Sequence, residues 1–245
     1  MGRCILVLML LLSAVPAWAG KGLVLSTGMR EPWTNAQKTG FTEQLLAELF
    51  RSLELDGHVV FNPAAARALA LANDGIEDGL AARIAGLEKD YPNLIRVPEP
   101  VFYNDFVAAS APDAPVEIRS WGDLGTFSVG YILGWQIFDH NLPRVRELTQ
   151  VKDSAQLLGL VRAGRTDIIL HERWQVLWHA RQLNIPLRIH EPPLVSVPMY
   201  LYLHKSRADL IEPIGRALKA MKADGRHKAL VDAVLGPLMQ DPSRK

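Results

Sequence analysis

Short β-type runs alternate with stretches of helical spacing along most of the chain. That alternation narrows the accessible folds more than any other feature. Gly22 to Thr27 (GLVLST) is a short β-compatible run bounded by glycine. After a loop from Gly28 to Asn35, apolar residues recur at Phe41, Leu45, Leu46, Leu49, Phe50 and Leu53, the spacing of one helix face. Gly57 to Asn62 (GHVVFN) predicts a second strand, and Pro63 opens a second helix through Arg67, Leu69 and Leu71. Proline suits a first helical turn because its missing N–H would find no partner there. The helix stops at the Asn73-Asp74-Gly75 breaker. Strand, helix, strand, helix in this order predicts an α/β fold with a mostly parallel sheet and helical crossovers.

The prolines and small residues of Ala111 to Pro115 (APDAP) interrupt this rhythm, which then restarts. Ser120 to Asp123 reads as a capped turn, Phe127 to Leu133 as a strand, and Gly134-Trp135-Gln136 as the start of a helix. Asp153-Ser154-Ala155-Gln156 resembles a capping box and starts a helix to Ala163, closed by Gly164. Thr166 to Leu170 (TDIIL) follows as a buried strand, and another helix begins near Glu172 with Trp174, Leu177 and Trp178. A strongly β segment, Val195 to Leu203, precedes two amphipathic helices, the first marked by Leu210, Ile214, Leu218 and Met221. This segment and an earlier long strand through Val101, Phe102, Phe106 and Val107 bracket the middle of the chain. They predict two lobes, the first from 20–108 and 197–245 and the second, 109–196, inserted into it. The hinge is expected at Val107 to Ala111 and Val195 to Leu203.

Arg3, the apolar run from Ile5 to Leu12 and the Ala17-Trp18-Ala19 site are the three parts of a secretory signal peptide. They predict cleavage between Ala19 and Gly20 and a soluble, periplasmic product. The apolar run is short for a bilayer span. Cys4, the single cysteine, precedes that run, whereas a lipid-attachment cysteine would follow it. The mature chain is therefore expected to carry neither lipid anchor nor disulfide. Taking 19 residues from 245 leaves 226, enough for two lobes of ~100 residues each. Loss of Arg3 lowers the 27 basic residues to 26, against 26 acidic ones. Near-zero net charge argues against nucleic acid or an anionic membrane surface as partner.

Between the breaker and the first long strand, the run from Ile76 to Phe106 holds Arg83 in an apolar-poor segment shortly before Gly86. A guanidinium there suits a bidentate fork onto a carboxylate, and it equally suits a solvated surface. The seven histidines include no pair at ligand spacing with a third donor, and H-E-x-x-H is absent. No metal site and no cofactor are expected. G-x-S-x-G, P-loop and G-x-G-x-x-G patterns are absent too. Read alone, Trp33 suits a packed loop, Glu172 the first turn of a helix, and Trp174 with Trp178 a core face.

The opening GLVLSTGMREPW, the helix GFTEQLLAELF, the run from Asp78 to Pro100, SWGDLGTFSVGY and above all AGRTDIILHERW resemble the family 3 periplasmic solute-binding proteins. That group includes the amino-acid receptors of ABC importers, and the resemblance covers nearly the whole mature chain. It implies a type II two-lobed fold, joined by a two-strand hinge, that closes as a monomer on a small-molecule ligand. It also implies an ABC permease or a membrane sensor as partner. By the same resemblance Arg83 clamps the ligand carboxylate, Glu172 holds an α-amino group and Trp33 stacks on the ligand. Gly134 and Trp135 would open a helix whose N–H groups face an anion. Where the family usually places Ser or Thr before that arginine, this chain has Ala81 and Ala82. Some relatives are dehydratases of cyclic acids, which makes an enzyme with Glu172 as acid/base the alternative. No second catalytic partner is visible beside Glu172, so binding is the expected function.

Overall fold

A computed structural model describes residues 22–240. The signal-peptide reading, with Cys4, lies outside the described residues. The chain begins with β1 (Leu23–Thr27), α1 (Phe41–Ser52), β2 (Gly57–Phe61), α2 (Ala65–Asn73), β3 (Gly79–Arg83) and β4 (Leu94–Arg96). The long β5 (Phe102–Ser110) leads to β6 (Ser128–Ile132), α3 (Gln136–Asn141), β7 (Glu147–Val151), α4 (Ser154–Arg162), β8 (Ile168–Glu172), α5 (Arg173–Gln182) and β9 (Arg188–Ile189). A second long strand, β10 (Val195–His204), returns to the first half, where α6 (Ile211–Ala223) and α7 (Arg226–Leu230) follow.

The strands run in the order β2-β1-β3-β10-β5-β8-β6-β7, forming two lobes. In one lobe β1 lies parallel to β2 and β3, and in the other β6 lies parallel to β7 and β8. The two long strands belong to both. Tyr200 to Leu203 of β10 pair with β3, while Val195 to Met199 pair antiparallel with Phe102 to Phe106 of β5. Val107 to Ala109 already pair with β8, so the crossing lies earlier in β5 than the Val107 to Ala111 expected from sequence. Arg173 of α5 braces this crossing: it is buried, forks onto Glu191 and reaches Asp105 of β5 at 3.2 Å.

Each lobe buries both faces of its sheet. In the first, Leu45, Leu46 and Leu49 of α1 and Ile214, Leu218 and Met221 of α6 cover one face. Ala68 and Ala72 of α2 pack with Leu80, Leu94 and Tyr202 on the other. In the second, α4 and α5 supply Leu157, Leu158 and Val176 to one face, and Phe138 of α3 fills the other. Each such leucine or phenylalanine contributes roughly 1.5–3 kcal/mol on burial.

Segment 79–83, read from sequence as apolar-poor, is a strand with Gly79 to Ala82 buried. Its small residues answer to close packing. A Cβ on Gly79 would lie 2.0 Å from the Tyr202 carbonyl oxygen, and Ala81 and Ala82 sit in the core beneath α1 and α6. β7, with most of its residues exposed or half-exposed at the sheet edge, had no apolar pattern to reveal it. Among the described residues no helix is long and apolar enough to cross a membrane.

Candidate functional site

The parallel strands of both lobes send their carboxyl ends into one cleft of about 710 Å³. Gly28, Met29 and Arg30 follow β1, Arg83 ends β3, Ile132 ends β6, Asp153 and Ser154 follow β7, and Glu172 ends β8. Open α/β sheets bind ligands at this place because the loops leaving the strands diverge there. Among the described residues, no group of three or more acidic, histidine or cysteine side chains is placed to hold a metal.

Arg83 is the charged residue with the least support. Its Nε and Nη2 are shut off from solvent and have no hydrogen-bond partner among the described residues. Burial pushes its pKa down from the usual arginine value. Sealed guanidinium nitrogens without acceptors are costly, and a carboxylate is the group whose two oxygens match such an N–H fork. Asn104 of β5 also lines the cleft, and its Oδ1 is likewise buried without a partner. Sequence reasoning passed over Asn104. Its signal was a polar residue two places from each of Phe102 and Phe106, on the same face of an apolar strand.

Glu172 lies across the cleft, and its carboxylate is engaged. Oε1 accepts the Trp174 backbone N–H at 3.1 Å. Oε2 accepts the Gln175 N–H at 2.9 Å and the Trp33 indole N–H at 3.2 Å. The residue caps α5 and is 1% exposed. Burial raises its pKa to about 7, against the lowering effect of these three donors. The structure thus brings Arg83 and Glu172 to one cleft, with both Glu172 oxygens already accepting N–H groups of the protein.

Trp33 takes a different place from the one the resemblance implies. It does not line the cleft. It is 1% exposed, stacks on Phe102 at 4.1 Å and meets Phe41 edge-on at 5.7 Å. Its indole N–H reaches the other lobe through Glu172. A large aromatic gains more from a closed core than from an open wall.

Gly134 and Trp135 do line the cleft. The helix they precede, α3, has six residues, and Trp135 at its cap has φ −82° and ψ 86°, outside the helical range. Fewer than two turns carry little aligned dipole, so the anion-facing role expected for its N–H groups loses its basis. Gly134 turns the chain with φ +86°, a conformation glycine adopts without strain. Trp135 forms wall: its ring stacks on Phe138 at 5.7 Å and covers His171 at 4.7 Å. His171 holds Ser154 at 2.9 Å and the Glu172 backbone carbonyl at 3.0 Å. Its sequence signal was a histidine inside the buried strand IILHE.

These features decide the fold: two parallel-sheet lobes, two crossing strands, and a cleft at the strand carboxyl ends. The chain has the type II periplasmic binding protein fold. Solved structures agree across nearly its whole described length. The GluR0 ligand-binding core in complex with L-glutamate superposes with a TM-score of 0.72 at 15% identity, covering 89% of this chain and 100% of that one. An ancestral cationic amino acid solute-binding protein gives 0.72 at 18%, covering 87% and 95%. The arginine-bound amino acid ABC transporter substrate-binding protein AbpA of Streptococcus pneumoniae gives 0.64 at 14%, covering 90% and 97%. No family model and no curated protein matches the sequence.

Proposed function

We propose that this protein is a periplasmic solute-binding protein that closes on a small carboxylate-bearing, amino-acid-like solute, serving an ABC importer or a membrane sensor. The observation that carries this reading is Arg83, a half-buried cation lining the cleft with two unpartnered nitrogens. The amino-acid ligands of the structurally similar proteins support the same class. Closure is a rigid-body motion of the lobes about the β5/β10 crossing, with a few residues there absorbing the dihedral change. A dehydratase using Glu172 as acid/base is disfavoured, since all the donors on that carboxylate fix it in place and none positions a substrate. The test is a thermal-shift screen of small carboxylates followed by small-angle scattering on the hits. A hit that raises the melting temperature and compacts the particle supports the reading. A complete panel without one, or hits that turn over to product, overturns it.

A further inference from the structure

The first lobe meets α5 on two opposite faces of the helix. Glu172, Gln175 and His179, spaced i, i+3 and i+7, line the cleft. Trp174, Leu177 and Arg181 repeat that spacing two residues on, which places them about 200° round the helix. On this rear face Trp174 packs against the first-lobe core. Leu177 and Arg181 meet a C-terminal strap, Gly236–Met239, where the Arg181 guanidinium donates to the Pro237 carbonyl at 2.6 Å. The strap belongs to the first lobe: Leu235, just before it, is buried in that core, and Leu238 packs on it.

The strap is held lightly. Leu177, Ala180, Leu238 and Met239 line a hollow of about 160 Å³ between strap and helix, and Met239 is 55% exposed. Groups facing across such a gap forfeit part of their dispersion attraction. In front, the cleft of about 710 Å³ is larger than one small carboxylate fills, which leaves the lobes room to approach. A rotation about the β5/β10 crossing that brings the front of α5 towards Arg83 carries its rear away from the strap. We infer that the strap opposes closure, and that its hold on Leu177 and Arg181 sets how tightly the cleft binds its ligand. A ligand that binds only closed lobes shows its intrinsic Kd divided by the closed fraction, so any fold by which the strap lowers that fraction is lost from affinity. Arg181 and Met239 thereby act on the ligand without touching it, as positioning residues.

This inference rests on the reading that the lobes close on a small carboxylate, and two measurements separate the claims. The probes are L-glutamate, L-arginine, L-phenylalanine and succinate, with affinity read by calorimetry and closure by small-angle scattering. Arg181→Ala removes the hydrogen bond to the strap and should tighten a bound probe by about three- to tenfold, and Met239→Ala by about twofold. Losing a contact that merely braces the fold does not raise affinity, so a gain distinguishes the strap from a structural prop. Hydrogen exchange of the backbone amides of 236–240 should quicken when the wild type is saturated with the probe, because closure frees them. A probe that compacts the particle but binds both variants no more tightly than the wild type overturns the inference and leaves the proposed function standing. So does unchanged or slower exchange in the strap on binding. If no probe binds, the proposed function falls and this inference falls with it.

Discussion

The two faces of the cleft treat a buried charge in opposite ways. On the first lobe Arg83 stands at the end of β3 with Nε and Nη2 unpartnered. On the second, Glu172 stands at the end of β8 with three N–H donors on its two oxygens. Both positions are strand carboxyl ends, so topology alone does not separate them. Their partners do. An ionic group left unpartnered costs stability that a ligand can restore, whereas a fully bonded one holds the architecture. The contrast supports the recognition role proposed for Arg83, while Glu172 caps α5 and links the lobes through Trp33.

The largest expected effect is on binding. Arg83→Met should weaken any carboxylate ligand by about 2–5 kcal/mol, the range for removing one side of a buried charged pair. Urea unfolding should meanwhile show no loss of stability, because no protein acceptor is orphaned. Unchanged ligand affinity would erase the contrast between the two faces.

Glu172→Ala should behave in reverse, lowering stability by about 2–4 kcal/mol. About 1 of that is the lost helix cap, and the rest is the cost of leaving the Trp33 indole N–H buried without an acceptor. A variant as stable as the wild type would show that the three donors do not hold the carboxylate.

Titration sharpens the same point. Because burial raises the Glu172 pKa from an ordinary value near 4.5 to about 7, its contribution is greatest below pH 4.5 and is lost as pH rises to 7. His171 runs the other way: lowered from 6.5 to about 4, it stabilises fully above pH 6.5 and loses that contribution as pH falls towards 4. Glu172→Gln removes only the first. Its stability relative to wild type should therefore climb between about pH 4.5 and 7, by up to about 3 kcal/mol. A flat difference across that window would rule out a buried, titrating Glu172.

The smallest effect is expected from Trp33→Phe. The stacking on Phe102 survives, one hydrogen bond to Glu172 goes, and the cost should be about 1 kcal/mol by thermal or urea unfolding. A loss several times larger would mean that packing of the indole, and not its N–H, joins the lobes.

Much of the chain could be read in advance because its periodicities are local. The helical spacing from Phe41 to Leu53 and the Asp153 cap, which accepts the Gln156 N–H, both appear in the structure. Arg83 was conspicuous as a single arginine ahead of Gly86. β3 escaped because its buried face is made of glycine and alanine, whose burial is dictated by Tyr202 on a strand more than a hundred residues later. Asn104 and His171 were passed over because a polar residue within an apolar strand reveals a site only when its neighbours in space are known.

By itself the sequence determined the α/β class, the two long crossing strands, and Arg83 and Glu172 as the candidate charged pair. These follow from patterns within a few residues, where backbone geometry dictates which side chains share a face. Only the tertiary structure decided what each charge does. Whether a buried group is satisfied depends on donors and acceptors brought from elsewhere in the chain. Trp33, 139 positions before Glu172, closes one carboxylate, while no described residue closes the guanidinium of Arg83.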